Sequence, residues 1–461
     1  MTVIGKIEHM SLDIDRKAPP VESFEQLVAL LRAGEKAPEE FAVGTEHEKA
    51  PFWGASLAPV AYEEGIKPLF ESLAAAGWQP FPDASEPVAL KRGGASITLE
   101  PGGQLELSGA PLRTLHETAA ELREHLELVV PAAQQLDIHF ASWGMRPLEL
   151  ADEVAWMPRP RYAKMREYLP TRGRRALDMM LLTCTTQANF DYSSEADMAA
   201  KMRCAMGISP VAAALFANSP FYGGQWAGRR SERYATWLHV DPDRCGMLPF
   251  VFDAFGYEEY VDYVIDIPMF FILRDGVFHS AEGMTFRHFM ERGFRGEPPT
   301  LADFETQLSI AFPETRLKTF VEVRAADVGP PEMVLAAVAW WKGILYDGEA
   351  LEQAWAAVSE LAFNERVAMK WAAAQDGLRG HGPGWDLLTL ARQLTDIAAA
   401  GLRRQDARDK TGRDESIYLS PLHKLLRSGE TLADAAIARY GPGPFDARAR
   451  RDIMQNGAFA A

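Results

Sequence analysis

Residues 43–49 read Val-Gly-Thr-Glu-His-Glu-Lys, and the position of their two glutamates decides how the fold is read. In a β-strand successive side chains point to opposite faces, so Glu46 and Glu48 share one face and Thr45, His47 and Lys49 the other. A strand buried in a core would carry apolar residues at both. Three further segments repeat the pattern. In 95–110 (ASITLEPGGQLELSGA), Ile97 and Leu99 oppose Thr98 and Glu100, and Leu105 and Leu107 oppose Gln104, Glu106 and Ser108. Pro101-Gly102-Gly103 can turn the chain between them, and a hairpin through that turn brings Glu100 towards Glu106. In 183–191, Thr185, Gln187, Asn189 and Asp191 oppose Cys184, Ala188 and Phe190. In 320–327, Glu322 and Arg324 oppose Val321 and Val323.

One strand face rich in Glu, Gln and Asn is ordinarily solvated. Four such strands side by side form instead a sheet with an apolar face on helices and an acidic face lining a cavity. Clustered carboxylates repel one another and persist only where cations neutralise them. Oxygen donors at this density suit Mg²⁺, with Mn²⁺ as a substitute, and not zinc, which favours His and Cys. The basic candidates are Arg161, with Tyr162 beside it, and Arg166 in RPRYAKMREYLP, Arg233 in RRSERYATW, and Arg316 and Lys318 just before the fourth strand. Such groups grip carboxylates and stabilise phosphate charge. Neither a GxxxxGK[ST] loop nor a GxGxxG fingerprint occurs, so a nucleotide would be held by metal and by Arg and Lys on the sheet.

The composition narrows the classes. A chain of 461 residues with 47% hydrophobic content can bury a sizeable core, and its formal net charge of -16 argues against nucleic acid or an anionic membrane as partner. No stretch is long and apolar enough for a membrane span, and residues 1–20 lack the apolar centre of a signal peptide. Three cysteines without regular spacing exclude a disulfide scaffold and a CxxC zinc site. The expected location is the cytoplasm.

Helices are expected from Ser23, with Gln26 as capping-box partner and Gly34 as stop, and from Thr114, with Glu117 in the same relation, until Pro131 bends or ends the run. Another is expected over 194–216. Beyond Glu332 helical periodicity dominates, at 332–346, 348–363, 385–404 and 431–440. The expectation is an α+β catalytic body, residues 1–331, with a helical region, residues 332–461, packed on the same domain.

The motifs VGTEHEK, SITLEPGGQLELSGAPLRTLHET, RYAKMREYLP, LDMMLLTCTTQANFDYSSEADM, FPETRLK and VEVRAADVGPP, in this order, resemble plant-type glutamate–cysteine ligase, a group also found in proteobacteria. The resemblance implies an antiparallel, funnel-like sheet of the glutamine synthetase catalytic type. It implies that Glu46, Glu48, Glu100, Glu106 and Glu322 hold two or three Mg²⁺ ions, with Gln187 where other branches carry a histidine ligand. Arg161 and Arg233, with Tyr162, would hold the glutamate substrate, and Met269 and Phe270 would line the thiol pocket, although plant relatives carry Tyr where Phe270 stands. Arg316, Lys318 and Arg324 would face the phosphates of ATP, Arg324 and Glu322 acting in catalysis. The implied reaction joins the γ-carboxylate of glutamate to the amine of cysteine through γ-glutamyl phosphate, the first step of glutathione biosynthesis. The partners are then glutamate, cysteine and ATP, in a monomer or homodimer. The cysteines of the plant redox switch correspond to Ala119 and Ala281, so no switch of that type is expected. Two alternatives share the acidic face: a ligase of the same fold with another amine acceptor, and a small-molecule phosphotransferase.

Overall fold

The segment VGTEHEK lies on the spine of a nine-stranded sheet. The computed structural model describes residues 18–81 and 88–460; the N-terminal stretch scanned for a signal centre lies outside them as far as residue 17. In chain order the strands are β1 (Val43–Trp53), β2 (Gln79–Pro80), β3 (Ala89–Arg92), β4 (Ala95–Leu99), β5 (Leu105–Ser108), β6 (Ile138–Ala141), β7 (Thr185–Phe190), β8 (Thr315–Leu317) and β9 (Val321–Asp327). Across the sheet they run β8-β9-β7-β1-β5-β4-β3-β2, and β6 pairs the far half of β1. Every pairing in this sheet is antiparallel. The segments with a polar face are therefore contiguous: β9, β7, β1, β5 and β4.

The apolar faces are buried against helices. Ile97, Leu99, Leu105 and Leu107 pack with Phe70, Leu122, Leu126 and Val129. Val43, Ala188, Phe190 and Val323 pack with Trp340, Trp341 and Leu394, so helices from the C-terminal region cover the sheet directly. Each Val, Leu, Ile or Phe among them contributes about 1.5–3 kcal/mol on burial. A register slip of one residue would put the glutamates into this core, which is why the alternation specifies the pairing so strongly. Among the described residues no helix is long and apolar enough to cross a membrane.

Helix Leu115–Gln134 has the expected capping box: the Glu117 amide donates to Thr114 Oγ1 at 3.2 Å and the Thr114 amide to Glu117 Oε2 at 2.9 Å. Pro131 does not end it; it falls in the last turn, where a missing N–H costs a single bond. Helix Phe24–Arg32 does start after Ser23, but without that capping box. The Ser23 side chain makes no capping bond, and Gln26 accepts from the Glu22 amide at 2.7 Å instead. Helix Glu195–Leu215 is capped by Ser194, whose side chain accepts from the Asp197 amide. In the C-terminal region Pro331–Leu345, Leu387–Gln405 and Leu432–Tyr440 match expectation. The run expected over 348–363 stops at Ala356, and a separate helix follows at Phe363–Asp376.

A candidate active site on the acidic face of the sheet

The acidic face lines a cavity of about 230 Å³. Strand register builds its floor. Glu48 on β1 stands opposite Glu106 on β5, and Glu106 opposite Thr98 on β4. Glu46 stands between Ser108 and Gln187, and Glu322 on β9 is flanked by Asn189 and Arg316. The turn after β4 brings in Glu100. The Glu100 amide donates to Gln104 O and the Gly103 amide to Glu100 O, both at 2.9 Å, and Gly103 has φ +80°. A Cβ on Gly102 would lie 2.3 Å from Leu181 O, so this close turn requires glycine.

Two electrostatic regions result. In the first, Glu46, Glu48, Glu100 and Glu106 have no Lys or Arg within ion-pair distance among the described residues. Their partners are weak: Asn189 Nδ2 donates to Glu46 at 2.8 Å, the Thr185 amide to Glu48 at 2.9 Å, and the Ser108 hydroxyl to Glu106. Burial, then Glu322 and Glu106, pushes the Glu46 carboxyl up to about 7. Burial, then Glu100, pushes Glu106 up to about 7. Burial, then Glu100 and Glu106, holds Glu48 well above the usual range. In the second region burial opposes ionisation of Glu322, yet Arg316, Lys318 and Arg324 hold it well below that range. Arg316 donates to it in a fork, at 2.5 Å from Nε and 2.8 Å from Nη2. Arg324 Nη1 donates at 3.0 Å, and Lys318 Nζ lies 3.5 Å away.

The remaining candidates divide. Arg161, Tyr162 and Arg233 border the cavity, as do Gln187, Arg316, Lys318 and Arg324. Gln187 Oε1 accepts from Arg324 at 2.5 Å. Arg233 donates through Nη2 to Thr185 Oγ1 at 2.7 Å and through Nη1 to Ala325 O at 3.2 Å, and Asp327 Oδ1 lies 3.5 Å from it. Arg166 lies outside the cavity, over the Trp156 ring. Met269 and Phe270 do not border it either. Met269 faces a small side cavity, and the Phe270 ring packs 4.0 Å from the Arg244 guanidinium. Phe271 and Phe278, from the hairpin Phe271–Ser280, take that wall, together with Met165, Met179 and Met180. The apolar wall was not legible in sequence because its methionines come from two helices, Met165 from a mostly polar one and Met179 and Met180 from one with an ordinary core pattern. Arg159 was missed for a different reason: it sits two residues before Arg161 with nothing local to mark it.

No ready cage of three or more His, Cys, Asp or Glu ligands occurs among the described residues. The donor set nevertheless fits a hard divalent cation, because four carboxylates without a Lys or Arg partner face one cavity and their crowding raises the pKa of Glu46, Glu48 and Glu106.

Comparison with known proteins agrees with this architecture. The profile of glutamate–cysteine ligase family 2 matches residues 42–457. The chain belongs to this family. It is 41% identical over 421 residues to the chloroplastic glutamate–cysteine ligase of Brassica juncea, covering 90% of this chain and 80% of the relative. It is 40% identical over 426 residues to that of Arabidopsis thaliana, covering 90% and 79%. The crystal structure of glutamate–cysteine ligase from Francisella tularensis in complex with AMP superposes with a TM-score of 0.54 at 14% identity, over 90% of this chain and 88% of that one. That identity carries the fold alone: the sheet of this family-2 glutamate–cysteine ligase chain is of the same kind.

Proposed function

We propose that this cavity makes γ-glutamylcysteine from glutamate, cysteine and ATP, the first step of glutathione biosynthesis. Family membership supplies the reaction class, and the named relatives are glutamate–cysteine ligases. The observation that carries the residue roles is the pairing, on one wall, of four carboxylates without cations and one carboxylate with three.

Glu46, Glu48, Glu100 and Glu106 would hold Mg²⁺, with Glu322 and Gln187 joining where the two regions meet. When bound, Mg²⁺ supplies charge neutralisation between the phosphates and the incoming carboxylate. Arg316, Lys318 and Arg324 take the phosphates of ATP and neutralise charge as the γ-phosphoryl moves. Arg161 and Arg233 hold the carboxylates of glutamate so that its γ-carboxylate attacks the γ-phosphorus in line, breaking the bond to the β–γ bridging oxygen and releasing ADP. The amine of cysteine, once its ammonium has lost a proton, then attacks the acyl carbon; the bond from that carbon to the phosphate oxygen breaks, phosphate leaves, and a second proton is lost from nitrogen as the amide forms. Its thiol fits the wall of Phe271 and Met179. Positioning of this kind, together with charge neutralisation, accounts for most of the barrier reduction in phosphoryl transfer. Residues 332–461 act as a helical support of the catalytic body, in a monomer or homodimer located in the cytoplasm.

The direct test is ADP release with each substrate omitted in turn, with mass spectrometry of the product. Release should require glutamate, and a γ-glutamyl peptide should appear only with cysteine. ADP release that needs neither amino acid rejects the ligase reading, and phosphorylated glutamate without peptide favours the phosphotransferase.

A pH dependence follows. Neutral Glu46 and Glu106 contribute stability that is complete below about 4.5 and is lost as pH rises through about 7, since their folded pKa lies above the unfolded one. Metal binding requires them ionised, so below pH 7 it must displace protons. As pH falls below about 7, Mg²⁺ affinity should weaken by up to about tenfold per pH unit for each proton displaced. Calorimetric titration between pH 5.5 and 8.5 checks this; a flat profile would remove these two glutamates from the metal site.

A further inference from the structure

Five arginines border the cavity, and they differ in how they are paired. Arg233, Arg316 and Arg324 each lie within 3.5 Å of a carboxylate. Arg159 and Arg161 have no carboxylate within ion-pair distance among the described residues. Arg159 is the more enclosed, with 6% of its surface exposed. Its Nη1 donates to Leu99 O at 3.1 Å and to the Tyr162 hydroxyl at 3.0 Å. Its Nη2 is buried without a partner, and so is Nε of Arg161. The two guanidinium groups lie 5.5 Å and 5.2 Å from the centre of the Tyr162 ring. Arg159 is the N-cap of helix Pro160–Tyr168 and Arg161 lies in its first turn, so both stand at the positive end of the helix dipole.

A buried guanidinium without a counter-ion is unfavourable, and its planar fork matches a carboxylate. Phosphate is the poorer match here. Arg159 is tied to the end of β4, four strands from β9, which is about 19 Å along the sheet at the usual strand spacing. The cations of the phosphate region sit at β8 and β9. We propose that Arg159 is a specificity-determining residue, whose free Nη2 receives the α-carboxylate of an amino-acid substrate, with Arg161 as the second arm. This rests on reading the cavity as the ligase active site.

The test compares each amino acid with its analogue lacking the α-carboxylate: cysteine with cysteamine, and glutamate with 4-aminobutyrate, as substrates or competitive inhibitors. In Arg159→Gln one of the two preference ratios should shrink by about 10–100-fold, with KM for ATP unchanged. Arg159→Lys should fall between, because it keeps the charge and loses the fork. The ratio that shrinks identifies the substrate held. Each ratio is internal to one variant, so general loss of activity from the severed Leu99 contact does not imitate the result. If Arg159→Gln fails to fold, Arg159→Lys decides, and where turnover is too slow the same pairs are read by thermal-shift binding. Both ratios preserved, or a raised KM for ATP with both ratios intact, would overturn the proposal. A wild-type enzyme that made no γ-glutamyl product would instead overturn the ligase reading.

Discussion

Arg324→Ala is expected to lower kcat by about 10²–10³-fold while leaving the fold intact. Arg324 borders the cavity and shares Glu322 with Arg316 and Lys318, so its removal still leaves that carboxylate neutralised. What is lost is one positive charge at the position where phosphate charge develops. Arg316→Ala should behave differently. Arg316 supplies both arms of the fork to a fully buried Glu322 and also donates to Ser309 O and Ala311 O. Breaking one side of a buried pair costs about 3–5 kcal/mol, so this variant should lose stability as well as activity. Steady-state kinetics and thermal unfolding of the two variants separate the roles. If Arg324→Ala unfolded as readily as Arg316→Ala, Arg324 would be a structural member of the pair and not a phosphate ligand.

Glu48→Gln should lower activity by roughly a hundredfold or more at fixed Mg²⁺, because metal neutralisation contributes several kcal/mol to a phosphoryl-transfer barrier. Its effect on the metal-free protein should have the opposite sign. Glu48 is buried beside Glu100 and Glu106 and is held by a single backbone amide, so its charge is unfavourable where it stands. An amide of the same shape removes that repulsion. Stability of the metal-free variant at pH 8 should therefore be unchanged or raised, and the stabilisation conferred by Mg²⁺ reduced. Activity and stability moving in opposite directions is the mark of a residue retained for function. Unfolding curves with Mg²⁺ and with EDTA give both quantities. A variant clearly destabilised in EDTA, with its Mg²⁺ response intact, would make Glu48 part of the scaffold.

Much of the architecture was legible because alternation has a physical cause. Ile97, Leu99, Leu105 and Leu107 must enter a core, so Thr98, Glu100, Glu106 and Ser108 must face the other way, and the Pro101-Gly102-Gly103 turn leaves little freedom in how the two arms meet. The same reasoning held for Val321 and Val323 against Glu322 and Arg324. Residues without this periodic constraint were misread. Ser23 has the residue type of a cap but makes no capping bond, and Pro131 sits where the helix tolerates it. Met269 and Phe270 lie two residues and one residue before Phe271, the hairpin residue that borders the cavity, so a small shift in a short strand changes which side chain reaches substrate.

By itself the sequence determined the faces: which side chains on each strand are acidic, which are apolar, and that Glu46 and Glu48 share one side. Order and proximity were decided only in the tertiary structure. Strand pairing set Glu48 against Glu106 and Glu322 against Arg316, and so divided the cavity into carboxylates that lack cations and one that has three. Packing of a helix against the end of β4 enclosed Arg159 without a counter-ion. Periodicity is local, carried by the backbone geometry of a few residues, whereas electrostatic pairing depends on distances between segments far apart in the chain, which only the folded core defines.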